Sequence, residues 1–451
     1  MPAISLITGI LTAPLMPYAR VIVVAFAACI LLTWFLYRRA HIQSIGILSC
    51  FFLLGMLVAQ PEERVSTDDS QVEAVVFSEP SEKPKTIVVD LLLPEEDRRV
   101  RCFLWKDERS RQLQLGSNLL VNHPDSGFVR SKDWAFGGSG TEKLSRMQRV
   151  RLHFLYYRHY LLNRYRTQGA DDEQYAVLAA MTLGDKSALT KDLREKYSVT
   201  GASHILALSG LHLGVIYLLL FRLTFGRRHF WLSQVAIILS LWAYAFLTGL
   251  STSVVRSATM ISIYALFSVS GRHRSPVNLL CFTAIVMLIV SPESLYDIGF
   301  QLSFSAVLAI LLLMPLFESF FPDNYLVKHS LVRYIYNMVG VSVAAQIGVA
   351  PLIAYHFGRF STYFLLTNFL VIPAATIILY GALLVVVVPS LAPALLCVVG
   401  LLNKVLGWMS QMPCASIDGL HPSVLQVCLL YIVFLCFYFS LRTLQRVKPI
   451  T

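Results

Sequence analysis

Charge is scarce in this sequence. Of its 451 residues, 14% are Asp, Glu, Lys or Arg and 56% are hydrophobic. A soluble chain carries roughly 25% charged residues, so the deficit excludes an ordinary cytosolic globular protein. It predicts a polytopic membrane protein, and apolar runs of about 20 residues, enough to cross a bilayer, recur along the chain. Other signatures are missing too. Seven of the eight cysteines (Cys29, Cys50, Cys281, Cys397, Cys414, Cys428 and Cys436) lie in or beside apolar runs, and Cys102 has no local partner, so no disulfide framework is expected. No CxxC or Cys/His zinc spacing occurs, so neither a metal site nor a cofactor is expected. No GxxxxGK[ST] loop is present, so the chain is not expected to power transport itself. There is no repeat with a period of about 20–50 residues. The first 17 residues are apolar but lack a basic n-region, so no cleavable signal peptide is expected.

The net charge is +11. Basic residues that fix topology explain it, and attraction for an anionic substrate or lipid is the sharper alternative. The short loop Arg38-Arg39-Ala40-His41 separates spans near 21–37 and 42–59 and is expected to face the cytoplasm. Residues 61–140 then emerge on the opposite side. Here "VEAVVFSE", "KTIVVDLLL", "RRVRCFLWK" and "NLLVNHP" read as short strands broken by Pro, Gly, Asp and Asn. They predict a small β-barrel or sandwich, ended by "GGSG" at 137–140. Residues 143–168 carry Arg146, Arg149, Arg151, Arg158, Arg164 and Arg166 among Leu, Phe and Tyr. This predicts an amphipathic helix in the membrane interface, with a basic rim guiding nucleic acid as the minor alternative. Residues 171–197 read as a helical hairpin or re-entrant pair, too polar at its end to span.

Spans are expected near 205–221, 231–249, 254–270, 277–291, 300–318, 336–355, 363–388, 391–412 and 424–441, the region 363–412 being open to another division. The loops with Arg222/Arg227/Arg228, Arg272/Arg274, Lys328/Arg333 and Arg442/Arg446/Lys448 then all face the cytoplasm. The fold class is therefore a polytopic α-helical membrane protein with a small extracytoplasmic β-rich domain. Its parts are N-terminal helices (1–60), the β-domain (61–140), interfacial helices (141–200), a transmembrane domain (201–441) and a cytoplasmic tail (442–451).

Hydrophobic segments tolerate polar residues where those face protein or water. Gly210 and Gly214 form a GxxxG pair that suits close helix packing. His204, Leu208 and His212 recur every fourth residue, which puts both imidazoles on one helical stripe. Their eight-residue spacing is about 12 Å, too far for one metal ion and more suited to lining a path. A neutral histidine satisfied by a neighbouring helix is the structural alternative. Ser209 and His212 are near enough for a nucleophile–base pair, yet no G-x-S-x-G elbow or nearby acid accompanies them. Arg256 either snorkels outward or faces the interior, where Asp297 is positioned to pair with it. Gln301 lies one turn after Asp297. Asp185 is a further outer acid whose structural alternative is a turn or cap. Gln346, His356 and Asn368 complete the polar set, with Pro351 and Pro373 expected to break their helices beside a cavity.

The order of these pieces resembles the ComEC-type competence family. "LGDKSALTKDLREKYSVTGASHILALSGLHLGVI" (183–216) carries the Gly-Asp-basic turn, the Thr-Gly-x-x-His step and the Ser-Gly-Leu-His core. "LSTSVVRSATM", "SPESLYDIGFQLSFSAVLAI", "AAQIGVAPLIAYHFGRFS" and "TNFLVIPA" follow in the family's order. The resemblance implies a channel in the bacterial inner membrane, not an enzyme, that takes up single-stranded DNA in natural transformation. It implies that Asp185, His204, Ser209, His212, Arg256, Asp297 and Gln301 line the path or support it. It also implies that 61–140 is an OB-type domain, with Phe77, Phe103, Trp105 and Phe128 as stacking candidates and Arg98, Arg99 and Arg101 as cations. The full-length family form has a C-terminal metallo-β-lactamase-like domain. This sequence runs ten residues beyond Leu441 without its motifs, so a separate nuclease is expected. Further expected partners are membrane lipid, a cytoplasmic motor or DNA-binding protein, and a second copy of the chain. The alternatives are an intramembrane hydrolase using Ser209/His212 and a transporter of small solutes or lipid.

Overall fold

A computed structural model describes residues 1–15, 19–35, 40–60, 72–122, 128–129, 133–224, 230–269, 275–320 and 329–447. The expected basic-loop residues Arg38, Arg39, Arg227, Arg228, Arg272, Arg274, Lys328 and Lys448 lie outside them. The described part is mostly helical, with a small β-sheet region near the N-terminus.

Helices α1 (Pro2–Thr12), α2 (Ala19–Phe35) and α3 (Ala40–Val58) come first. Glycines let α1 and α3 cross at backbone contact. A Cβ on Gly9 would stand 2.0 Å from the Phe52 carbonyl oxygen, and one on Gly55 2.3 Å from that of Leu6. In hydrocarbon, where lipid is as apolar as leucine, such small-residue contacts drive helix association.

The sheet comprises β1 (Val72–Val76), β2 (Ser81–Glu82), β3 (Thr86–Leu93), β4 (Arg98–Trp105), β5 (Asn118–Val121), β6 (Phe128–Val129) and β7 (Trp134–Phe136), with the one-turn helix α4 (Glu108–Arg111) between β4 and β5. Its main path runs β6-β4-β3-β1-β5-β7, with β2 on β3. All pairs are antiparallel except β4 with β6. Alternation along β4 sends Val100, Cys102 and Leu104 inward and leaves Arg99, Arg101 and Trp105 exposed, as a two-residue period requires. Val89, Leu91, Leu119, Val121 and Trp134 close the same core. The eight cysteines are all unbridged.

Helix α5 (Arg146–Arg166) joins the sheet to the helical bundle. Ser145 caps it: the Gln148 N–H donates to Ser145 Oγ at 3.3 Å, and the Ser145 N–H donates to Gln148 Oε1 at 2.8 Å. Gln148 Nε2 also donates to Asp97 at the turn between β3 and β4, 2.6 Å away, and Tyr156 OH to the Leu115 carbonyl at 3.0 Å. From the other side Arg151 Nη2 donates to the Gly249 carbonyl at 2.8 Å. Leu152 and Leu155 are buried under the sheet, while Met147, Val150, Tyr157 and Tyr160 are exposed. The helix has the expected two-sided character, and its structural task is to fasten one domain to the other.

The bundle contains α6 (Asp172–Leu183), α7 (Lys191–Val199), α8 (Ser203–Leu206), α9 (Gly210–Leu223), α10 (Phe230–Leu247), α11 (Thr252–Val269), α12 (Pro276–Val290), α13 (Ile298–Glu318), α14 (Ser330–Phe357), α15 (Phe364–Val387), α16 (Ala392–Ser410) and α17 (Val424–Val447). Six described helices are long and apolar enough to cross a membrane, and five shorter apolar ones accompany them. Every residue of α6 from Tyr175 to Leu183 is buried. Together with α7 it packs on Ile378, Ala382, Val399, Leu402 and Leu406 of α15 and α16. A two-stranded ribbon, β8 (Arg359–Ser361) with β9 (Ser416–Asp418), clasps the loops after α14 and α16. Arg359 ties it to α7 by pairing with Asp418, with Glu195 at 2.8 Å and with Ser198 Oγ at 3.2 Å.

Two sequence expectations fail here. Pro351 and Pro373 lie inside the unbroken helices α14 and α15. Proline removes a donor from the ladder, but neighbouring helices re-satisfy such turns. Tyr431 OH of α17 donates to the Gly348 carbonyl at 2.8 Å, in the turn before Pro351.

Candidate functional site

The segment 183–216 folds as a series of turns and caps around two short helix breaks. Helix α6 ends on Gly184 in the left-handed region, φ 72°, a conformation glycine adopts freely. Asp185 follows, 8% exposed. Its carboxylate accepts the Ser187 N–H and the Ser187 hydroxyl, each at 3.0 Å. It is the anchor of a tight turn. A Cβ on Gly184 would stand 2.7 Å from Leu208 Cδ1, so the turn packs directly on the next break.

That break corrects the helical stripe. His204 belongs to α8, which ends at Ala207 in an extended conformation. Ser209 is the N-cap of the new helix α9. The two imidazoles therefore sit on different helices, because the Ser209 cap starts a fresh turn. His204 is exposed, with Nδ1 3.0 Å from the Gly201 carbonyl. His212 is 1% exposed. Its Nδ1 accepts the Ser209 N–H at 3.3 Å and lies 3.0 Å from Ser209 Oγ, while its buried Nε2 has no partner among the described residues. The gap beside it, between Leu211, Val215, Ala375, Thr376 and Leu379, is too small for a water molecule.

The GxxxG reading holds at one glycine only. A Cβ on Gly210 would meet Ser257 Oγ of α11 at 3.2 Å, whereas nothing lies within 4 Å of one on Gly214. Arg256, next to Ser257, is 6% exposed and donates from Nη1 to Asp297 Oδ1 at 3.1 Å. Asp297 also caps α13, accepting the Phe300 N–H at 2.7 Å. Gln301, one turn on, donates to the Leu295 carbonyl at 3.0 Å and places Oε1 3.2 Å from His356 Nε2 of α14.

Ser209, His212, Arg256, Asp297, Gln301 and His356 thus form a seam across α9, α11, α13 and α14. Its links are a cap, a glycine contact, an ion pair and an amide–imidazole contact. Asp185 and His204 stand apart from it in their own turns. The expectation that all these groups face one watery lumen is not met by this arrangement: each has a local protein partner, and His212 is in dry packing. Gly299 was missed by sequence reading. A Cβ there would stand 2.7 Å from Arg256 Nη2 and 2.9 Å from Asp297 Oδ1, so an added methyl group would force the ion pair to shift. The signal was present as a glycine at the second position of a helix, where bulkier residues are usual.

On the sheet, Phe77 is 5% exposed and cannot stack a base, since it is packed against Leu152 and Leu155. Trp105 and Phe136 are 47% and 45% exposed, and Phe103 is half-buried with Lys83 Nζ 5.7 Å from its ring centre. The Phe128 side chain lies outside the described residues. Of the three arginines, Arg101 pairs with Asp90 at 2.7 Å and Arg98 with Glu96 at 3.9 Å. Arg99 lies 6.0 Å from the Phe77 ring centre. No group of three or more His, Cys, Asp or Glu side chains with metal-binding geometry occurs among the described residues.

Comparison with known proteins gives this geometry a family. The family model described as "Competence protein" matches residues 181–444, so the chain belongs to the competence-protein family. ComE operon protein 3 of Bacillus subtilis is 33% identical over 222 residues, which cover 48% of this chain and 27% of that protein. An uncharacterized protein of Aquifex aeolicus is 31% identical over 198 residues, 44% of each chain. Recombination protein 2 of Haemophilus influenzae is 26% identical over 219 residues, 46% of this chain and 28% of the relative. The matched stretch is thus less than half the length of each relative. No solved structure matches.

Proposed function

We propose that the chain conducts single-stranded DNA inward across a bacterial inner membrane during natural transformation. The observation that carries this reading is the coincidence of the family match, residues 181–444, with most of the helices apolar enough to span. A polyanion needs cations and hydrogen-bond donors along its path, but few enough that it can leave again. The seam at Ser209, His212, Arg256, Asp297, Gln301 and His356 supplies such groups across four helices. Its present arrangement is closed, so conduction requires the seam to part. Asp185 and His204 support it as turn anchors rather than as lining.

The β-domain is the proposed receiver on the outer face, where the exposed Trp105 shares the outward face of β4 with Arg99 and Arg101, and the exposed Phe136 of β7 offers a second stacking surface. An OB-type reading is supported by strand order. The path begins at Phe128–Val129 and ends at Trp134–Phe136. The two ends of the path thus come from strands consecutive in the chain, and its one parallel pair, β4 with β6, lies at one of those ends, the strand order an OB barrel uses. Energy comes from a cytoplasmic motor or DNA-binding partner, and any nuclease step from another domain or protein. The test is a deletion strain given labelled DNA. Label should accumulate outside the inner membrane and fail to enter the cytoplasm; normal transformation would refute the reading.

One contact favours the hydrolase alternative: Ser209 Oγ lies 3.0 Å from His212 Nδ1. A nucleophile in that role would lose all turnover in Ser209→Ala. A capping serine in a channel leaves transport reduced but present.

A further inference from the structure

We infer that Arg256 and the first turn of α13 form a phosphodiester-binding site, which the carboxylate of Asp297 fills when no nucleic acid is bound. This rests on the DNA-conducting reading above and names the chemistry of its narrowest polar point. A guanidinium carries five N–H donors in a planar fork. At Arg256 one of them reaches Asp297, and Nε is buried with no partner among the described residues. The residue is 6% exposed, so water does not readily compensate that donor.

The geometry around the guanidinium is that of an anion site. The N-terminus of a helix presents unpaired N–H groups and a positive dipole end. At α13 those groups converge with Arg256 on one carboxylate oxygen, Asp297 Oδ1, which takes the Phe300 N–H at 2.7 Å and Arg256 Nη1 at 3.1 Å. The grip is single-point. The Asp297 side chain is 40% exposed, against 7% for Arg256, so it can swing outward while the arginine stays. With no Cβ at Gly299, the guanidinium approaches the first turn of α13 more closely than a side chain there would allow. A phosphodiester offers two charged oxygens and accepts the guanidinium fork bidentately, which a single carboxylate oxygen does not.

Arg359 provides the contrast. It is held by Asp418, Glu195 and Ser198 together, so its donors are spent on joining chain segments. Arg256 has donors in reserve.

The full chain in lipid nanodiscs, titrated with a labelled oligothymidylate, tests this. Asp297→Asn keeps the helix cap, since asparagine caps as well as aspartate, and removes the competing charge. It should bind about tenfold tighter, the worth of one displaced charge-assisted contact. Its salt slope should stay that of the unaltered chain, because the same phosphate is engaged in both once Asp297 is displaced. Arg256→Gln should abolish that gain when combined with Asp297→Asn, and in either background should lower the salt slope by about 0.7, one phosphate fewer on a single strand. If Asp297→Asn proves unstable, Arg256→Gln decides alone, since it should lower the slope of the unaltered chain by about 0.7. An unchanged slope in Arg256→Gln, with the unaltered chain binding normally, overturns this inference and leaves the channel reading intact. Absence of binding by every form overturns both.

Discussion

Arg101 and Arg256 each pair with an aspartate, and the two pairs show what the surroundings do to the same chemistry. On the sheet, Arg101 holds Asp90 across β3 and β4 with two hydrogen bonds, 2.7 and 3.2 Å, and its side chain is 66% exposed. In the bundle, Arg256 holds Asp297 with one bond and its side chain is 7% exposed. The better-formed pair is the less consequential. Water and salt screen the first, so it contributes roughly 0–1 kcal/mol. The second fixes a charge among apolar helices, and the partner's removal strands it.

The widest gap between the two regions should appear on deleting the acid. Asp297→Ala removes both the partner of Arg256 and the cap of α13. It should cost about 3 kcal/mol, the lower end of the range for a broken buried pair because Asp297 remains partly solvated. Thermal unfolding in detergent should show it as an early transition. Gly299→Ala comes next, at about 2 kcal/mol, since its methyl group overlaps Arg256 Nη2; retention of the unaltered melting temperature would mean the pair shifts freely. Ser209→Ala should cost about 1 kcal/mol through the lost cap of α9, with transport of labelled DNA lowered rather than abolished.

On the sheet, Arg101→Ala should change stability by less than about 1 kcal/mol, and a larger loss would erase the distinction drawn here. The smallest effect belongs to Glu82, whose carboxyl the Lys106 ammonium 2.8 Å away holds below the usual range. A carboxyl pKa depressed by folding stabilises the fold above its unfolded value. That contribution is lost as pH falls through the folded value. Glu82→Gln should therefore lower stability slightly at neutral pH, leave the acid end of the curve where that contribution is already lost unchanged, and so flatten the acid limb between them.

Much of this architecture was legible in the residues. The apolar runs gave helices within a few residues of those observed, because hydrophobic length is a strong signal. The strand-like runs at 72–79, 85–93 and 98–106 paired as neighbours. Arg256 and Asp297 could be matched because few charges in apolar segments leave few choices of partner. What stayed hidden depends on contacts between distant segments. The periodicity of His204 and His212 looked continuous, and the Ser209 cap that interrupts it shows only once the backbone direction is known. Pro351 reads as a breaker until Tyr431 is seen beside its turn. Phe77 and Trp105 have the same propensity, and the docking of α5 covers the first while the second stays exposed. Gly214 has the spacing of a packing motif and no neighbour to pack.

The interior beneath α6 also dictates when this protein can become itself. Tyr197 donates to Asn403 Oδ1 at 2.8 Å, 206 residues further along the chain, and the apolar face of α6 is completed by the same late segment. At a bacterial translation rate of about 5–20 residues per second, that partner emerges roughly 10–40 s after Tyr197. For that interval the nascent polypeptide holds a nine-residue stretch, Tyr175 to Leu183, with its eventual shelter unmade. A ribosome stalled before residue 392 would leave it in the care of insertion factors and quality-control proteases.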